Sequence, residues 1–248
     1  MTVPHTFANY VQHVQQQLEQ ALDKGGPSIS EAADWICAAI INRRPLYVFG
    51  ASHAGLLAQD LFYRAGGLVP IEPIMPAGLM LNERPVQRTS RLERLPGFAQ
   101  TFMADLHLTA DDVVLVISVS GRNLAPVEVC QLAQAEGARV IALTSVAFSA
   151  DVEPRGSKRL FEVADLTIDL PGVPGDAVVI IDGVSAPVGP TSTAVGSAIL
   201  HGLMCEVAAR IQSSGVEPPV FVSGNLDGSD ERNRGLMTYY RDQISYAG

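Results

Sequence analysis

Cysteine is scarce, clustered positive charge is missing and no long apolar run occurs, and each shortage removes a class of protein. The 248 residues hold three cysteines, Cys37, Cys130 and Cys205. They are far apart, flanked by apolar residues, and form no C-x-x-C pair or histidine-rich cluster, which excludes a disulfide framework and a cysteine-built zinc site. All three read as core thiols in a reducing cytoplasm. Lys and Arg number 17 against 26 Asp and Glu, a formal charge of -9. A sequence-independent grip on nucleic acid or on an anionic membrane depends on clustered cations, so neither is expected as a partner. No run reaches the roughly 18 apolar residues that a spanning helix needs. The opening residues, MTVPHTFANYVQHVQQQLEQ, carry neither the basic nor the apolar region of an export signal, and the cytoplasm is the expected compartment. A small anion is not excluded by an acidic surface, because backbone N–H groups at a helix start hold one without net positive charge.

What is present is core material, 47% hydrophobic residues. Phe7 to Leu22 has apolar residues at helical spacing, and after a KGGPS break Ser28 to Asn42 reads as a second helix with Ser28 as N-cap and Glu31 three residues on. Five short runs follow: PLYVFG, GLVPIEPI, DDVVLVIS, ARVIALTS and ADLTIDL. They are continuous rather than alternating and are interleaved with helical or turn-rich segments. That is the pattern of a parallel sheet covered on both faces. The expectation is an α/β chain, a three-layer α-β-α sandwich around a doubly wound parallel sheet of about five strands. Met75 to Gln100 is a long polar connection, Thr191 to Ile211 reads as the longest helix, and the tail from residue 215 is too polar for core and too patterned for a linker. With no repeat or composition shift, residues 1–248 are read as one domain with N-terminal helices at 6–43 and a structured tail at 215–248.

Ligands of such sheets gather where strand ends meet helix starts. The first corner, YVFGASHAG, offers Ser52 and His53. It lacks the glycine that a dinucleotide needs where Ser52 stands, which weakens a nucleotide reading even with Glu72 at ribose distance. The second, VVLVISVSGRNLAPVEV, ends a strand in Ser118, Ser120, Gly121 and Asn123 before a helix with Pro126 in its first turn. A phosphate there would meet two hydroxyls, free N–H groups and a helix dipole. Thr144 with Ser145, and Thr191, Ser192 and Thr193, repeat the arrangement. Any one of these is explained as an ordinary helix cap. Four in one chain are less easily explained so.

The ISVSGRN segment after FGASHAG, followed by VIALTS and PTSTAVGSAI, resembles the sugar isomerase (SIS) domain, whose S-x-S-G-x-[ST] loop holds a sugar phosphate. LFYRAGGL, SRLERLPGFA, APVGPTST and PPVFVSGNLDGSDERNRGL resemble its phosphoheptose-isomerase-like branch, and the likeness runs from about Phe7 to the C-terminus. It implies a flavodoxin-like SIS fold and places Ser118, Ser120 and Asn123 on the phosphate with Gly121 shaping the loop. Asn123 departs from the usual hydroxyl, though an amide still donates. Ser52 and His53 match the first-loop polar positions, and Thr191, Ser192 and Thr193 match a helix start near the ligand. The resemblance also implies a homodimer or tetramer with shared sites.

Aldose–ketose isomerisation needs a base for the proton beside the carbonyl and a donor for its oxygen. Glu93 in SRLERLPG, then His53, then Asp60 are the candidates, with Glu83 behind them; Asp60 and Arg64 also suit an i,i+4 ion pair on an exposed face. His201 stands off the apolar column of its helix, free to face the cleft or a neighbouring subunit. A related isomerase carries zinc on a C-terminal-helix histidine, but the accompanying ligand spacing is absent here, so no metal or other cofactor is expected. Asn225, Asp227, Asp230 and Asn233 suit either sugar hydroxyls or turns. The expected function is a sugar-phosphate isomerase working through a cis-enediol. The alternatives are a non-catalytic phosphosugar sensor, for which no basic helix-turn-helix is found, and an amino-sugar-phosphate lyase or etherase.

Overall fold

Five strands form the sheet, the central ones buried from both sides, and their order sets where the chain can bind anything. The computed structural model describes residues 4–247. β1 (Leu46–Gly50), β2 (Ile71–Ile74), β3 (Val113–Ile117), β4 (Arg139–Thr144) and β5 (Leu166–Asp169) pair in the order β2-β1-β3-β4-β5, all parallel. Every residue of β3 is buried. Leu115 and Ile117 face one apolar layer with Val48 and Leu143, while Val114 and Val116 face the other with Phe49, Val140 and Ala142. This period-two division with no polar face explains why these strands read as unbroken apolar runs.

The first layer is closed by α1 (His5–Ile41), α2 (His53–Leu61) and α7 (Ser192–Ser213), through residues such as Ile36, Ile40, Leu57, Leu61, Leu203 and Val207. The second is closed by α4 (Gln100–Met103) and α5 (Leu124–Ala135), through Met103, Val129, Cys130 and Ala133. Each such aliphatic side chain contributes about 1.5–3 kcal/mol on burial. The expected three-layer, doubly wound sandwich is therefore observed.

Several local expectations are corrected. The two N-terminal helices are one, 37 residues long, and it runs through Pro27. A proline inside a helix costs about 3 kcal/mol. Tertiary contact outweighs it: Val14, Leu18, Ala21 and Ile29, on both sides of Pro27, pack against the same cluster as α7. Arg210 on α7 donates to the Ser30 carbonyl at 2.6 Å and to its Oγ at 2.8 Å. Ser28 caps nothing; its hydroxyl donates back to the Gly25 carbonyl at 3.1 Å. Cys37 and Cys130 are buried, as expected, and burial pushes the Cys130 thiol up to about 12. Cys205 is not a core thiol but an exposed one, on the outer side of α7.

The connection before β3 contains the short α3 (Gln87–Leu92), and α6 (Val146–Ala150) follows β4. An antiparallel hairpin that sequence patterning did not disclose, β6 (Ala177–Val179) with β7 (Val188–Pro190), precedes α7. The tail folds into α8 (Ser229–Tyr240) and lies along the β2 edge, where Phe221, Tyr240 and Ile244 cluster with Val69. Glu72, considered above as a ribose ligand, accepts instead from the Ser245 N–H at 2.7 Å and hydroxyl at 2.5 Å, tying down that tail.

Candidate functional site

The chain leaves β1 toward β2 on one side and β3 toward β4 on the other, which puts the topological switch point, where sheets of this kind bind ligands, between the carboxyl ends of β1 and β3. Gly50 pairs with Ile117 at that edge, and the loops carrying Ser52 and Ser118 start opposite one another. Ser52 holds φ 55, a left-handed conformation that non-glycine residues adopt at a cost of about 1–3 kcal/mol. Its N–H donates to the Leu79 carbonyl at 2.8 Å, and its hydroxyl makes no capping bond to α2. His53, the first residue of α2, is exposed on the same lip.

The second loop is pinned from beneath. The Val119 carbonyl accepts from Thr144 Oγ1 at 3.2 Å and from the Ser145 N–H at 3.0 Å, and the Gly121 carbonyl accepts from the Leu160 N–H at 2.8 Å. Gly121 has φ +58, and a Cβ there would stand 2.8 Å from Ser149 Oγ and 2.9 Å from Thr144 Oγ1, so only glycine lets the loop sit this low. The frame consumes carbonyls and spares amides: among the described residues the N–H groups of Ser120, Arg122 and Asn123 donate to no protein acceptor. Three unpaired amides at the amino end of α5, beside the half-buried Ser120, make a concave donor set for an anion. Ser118 lies almost sealed under the loop, at 5% exposure.

Asn123 occupies the N-cap of α5 but makes no cap bond. Its Oδ1 accepts from Arg155 Nη1, and its amide is turned toward Glu93. A hydroxyl would serve both neighbours less well, which accounts for an amide at this place. Glu93 is brought here by its own backbone, whose carbonyl accepts from the Ala125 N–H at 3.0 Å, and by Glu128, which binds the Gly97 and Ala99 N–H groups at 2.8 and 3.3 Å. Burial pushes the Glu93 carboxyl above the usual range, against the hydrogen bond from Asn123 and the charges of Arg155 and Arg94. A carboxylate so perturbed beside an anion loop suits proton transfer. Glu83 by contrast is structural, accepting from the Gly78 N–H at 2.7 Å.

The other two hydroxyl corners are not brought to the loop as ligands. Thr144 and Ser145 are fully buried, supporting Val119 and capping α6 through the Phe148 N–H. At the start of α7 the carboxylate of Asp176 occupies the place foreseen for a ligand. It accepts from the N–H groups of Thr191 and Ser192 at 3.1 and 2.8 Å and from Ser192 Oγ at 2.7 Å. Thr191 is sealed with its hydroxyl unpartnered, and only Thr193 is exposed.

Asp60 joins a different constellation. It lies seven residues beyond His53 on α2, about 10 Å along the helix axis. His201 Nε2 stands 2.8 Å from its Oδ2 and 3.1 Å from Arg64 Nη1, Ser197 Oγ donates to Oδ2 at 2.7 Å, and Arg64 pairs with Oδ1. Burial alone would push Asp60 up, but the bonds from Ser197 and His201 and the charge of Arg64 hold it below the usual carboxylate range. Arg64 also borders a groove of about 400 Å³ against the tail, with Tyr63, Phe221, Asp230 and Arg234. Asn225 is exposed in that tail, and Asn233 is occupied by both backbone groups of Val222. Among the described residues no group of three or more His, Cys, Asp or Glu could hold a metal ion.

Reading the chain alone missed Arg94, Arg122 and Arg155 around Glu93, the cap Asp176, and the partnership of His201 with Asp60. Arg155, Asp176 and the Asp60–His201 pair had no local signal, since each meets its partner from a segment distant in sequence, whereas Arg94 and Arg122 adjoin Glu93 and Asn123 in the chain and were passed over.

Comparison with known proteins agrees with this architecture. A sequence profile of the SIS domain matches residues 9–145. A UPF0309 protein of Shouchella clausii is 44% identical over 239 residues, covering 96% of this chain and 97% of its own. Among solved structures, a phosphoheptose isomerase from Francisella tularensis superposes with a TM-score of 0.56 at 20% identity, covering 84% of this chain and 98% of its own. The sugar isomerase domain of an RpiR transcription factor from Sphaerobacter thermophilus gives 0.50 at 16% identity, covering 95% and 97%.

Proposed function

Because the chain belongs to the SIS-domain family, in its UPF0309 branch, we propose that it is an aldose–ketose isomerase that holds a sugar phosphate on the Ser118–Asn123 loop. The observation that carries this reading is the set of unpaired N–H groups at Ser120, Arg122 and Asn123, with the Glu93 carboxylate against Asn123. The phosphate sits on the amides and the Ser120 hydroxyl, with Gly121 giving it room. Glu93 takes the proton from the carbon beside the carbonyl while the carbonyl oxygen gains one, which forms the cis-enediol. Return of a proton to the former carbonyl carbon, with loss of the neighbouring hydroxyl proton, gives the ketose. In this reading His53, exposed at the start of α2, carries protons between the two oxygens.

The Asp60–His201 pair is the second candidate for proton transfer. Where Nε2 bears its proton it donates to Asp60, and where it is bare it accepts from Arg64, so the ring can pass a proton. Its distance from the loop along α2 means that it would serve the crevice of a neighbouring copy. The apolar groove of about 590 Å³ between α1 and α7, which includes Leu18, Leu22 and Ile199, supports a homodimer or tetramer.

The test is incubation with hexose, heptose and amino-sugar 6-phosphates in deuterated water. Exchange at C1 or C2 with one of them supports the isomerase. Thermal stabilisation without exchange assigns the chain as a phosphosugar sensor, and a released elimination product assigns it as a lyase.

A further inference from the structure

Arg94 and Arg122 both lie within charge range of Arg155 at the amino end of α5, and Arg94 and Arg155 lie within that of Glu93. Among the described residues none of the three has a carboxylate oxygen within ion-pair reach, whereas Arg44, Arg64, Arg159 and Arg210 each do. Arg155 is fastened by its N–H to the Arg122 carbonyl at 2.9 Å and by its guanidinium to Asn123. Arg122 keeps its Nε sealed from solvent with no hydrogen-bond partner. Unpaired guanidinium groups this close repel one another, and burial together with the charges of Arg94 and Arg122 lowers the Arg155 pKa. Such an arrangement is built to receive an anion.

The phosphate of the proposed substrate does not need these groups. The Ser120 hydroxyl and the three amides already offer its terminal oxygens four donors before any guanidinium is used. The guanidinium forks, each matched to a planar carboxylate or a phosphate, remain over. We infer that the substrate carries a second anionic group on the same sugar, a carboxylate or a further phosphate, held by Arg94, Arg122 and Arg155 beside the loop that holds the first. This rests on the phosphosugar reading and narrows it: sugar acid phosphates and sugar bisphosphates are preferred over neutral sugar monophosphates.

Calorimetric titration tests it with four probes: inorganic phosphate, a neutral hexose 6-phosphate, the corresponding aldonic acid 6-phosphate, and a hexose 1,6-bisphosphate. At least one doubly anionic sugar is expected to bind about tenfold or more tightly than the neutral monophosphate, the gain of one charge-assisted contact. Which of the two gains separates carboxylate from phosphate. Arg155→Gln is expected to cost the doubly anionic ligand at least about fivefold more than it costs the monophosphate. Arg94→Gln, at an exposed position, repeats the comparison should Arg155→Gln fail to fold. Equal affinity for all sugars, or equal losses for mono- and dianionic sugars in the variants, overturns the inference and leaves the phosphosugar site standing. Absence of binding by every probe, with Ser120→Ala indistinguishable from the parent chain, overturns both.

Discussion

Glu93 and Asn123 meet at the first turn of α5, the carboxyl raised by burial and the amide shared with Arg155. The base form of Glu93 is therefore lost, as pH falls, at a value above the ordinary 4.5. Turnover measured against pH is expected to show an acid limb above that value. Glu93→Gln should abolish both turnover and limb while ligand binding persists.

Gly121 and Ser120 separate architecture from recognition. Gly121→Ala forces a side chain into φ +58 and against Ser149 and Thr144, and is expected to destabilise by about 1–3 kcal/mol in urea unfolding. Ser120→Ala, on the open side of the loop, should leave stability within about 0.5 kcal/mol and weaken sugar-phosphate affinity about tenfold.

Asp176 caps α7 from outside the helix. Asp176→Ala strands the Ser192 N–H and hydroxyl and leaves the Thr191 N–H only the backbone carbonyl of residue 176, and a loss of about 1–2 kcal/mol is expected in thermal unfolding. An unchanged melting temperature would show that the cap is dispensable.

Asp60 is held below its ordinary 3.8. Its stabilisation is present above the unfolded-state value and is lost as pH falls through the lower folded-state value. Asp60→Asn should therefore be less stable than the parent chain at neutral pH, with the difference closing in strong acid. The pair is a third exposed, so the effect is expected to be modest, under about 1 kcal/mol. Chemical denaturation at the two pH values measures it.

The sheet was legible because burial on both faces leaves a continuous apolar signature, and all five strands fall where Val, Ile and Leu runs stand. The KGGPS stretch misled because glycine and proline report local preference, whereas contact with α7 decides whether α1 continues. The hairpin before α7 has strands of only three residues and exposed Ile180, Ile181 and Val184, so it carries no burial pattern. Of the candidate site, the Ser120–Asn123 loop was readable because a strand end and a helix start announce themselves locally, whereas Glu93, at the end of α3, was singled out by its loop and by the family resemblance. The cap at Asp176 and the guanidinium cluster were not, and the partner of His201 lies 141 residues away.

The loop as an anion cradle is tested most directly by a crystal structure of the chain soaked with a sugar 6-phosphate. The phosphate is expected within hydrogen-bonding reach of the Ser120 hydroxyl and of the N–H groups of Arg122 and Asn123. Phosphate density at the tail groove beside Arg64 and Arg234, with the α5 start left to solvent, would contradict it.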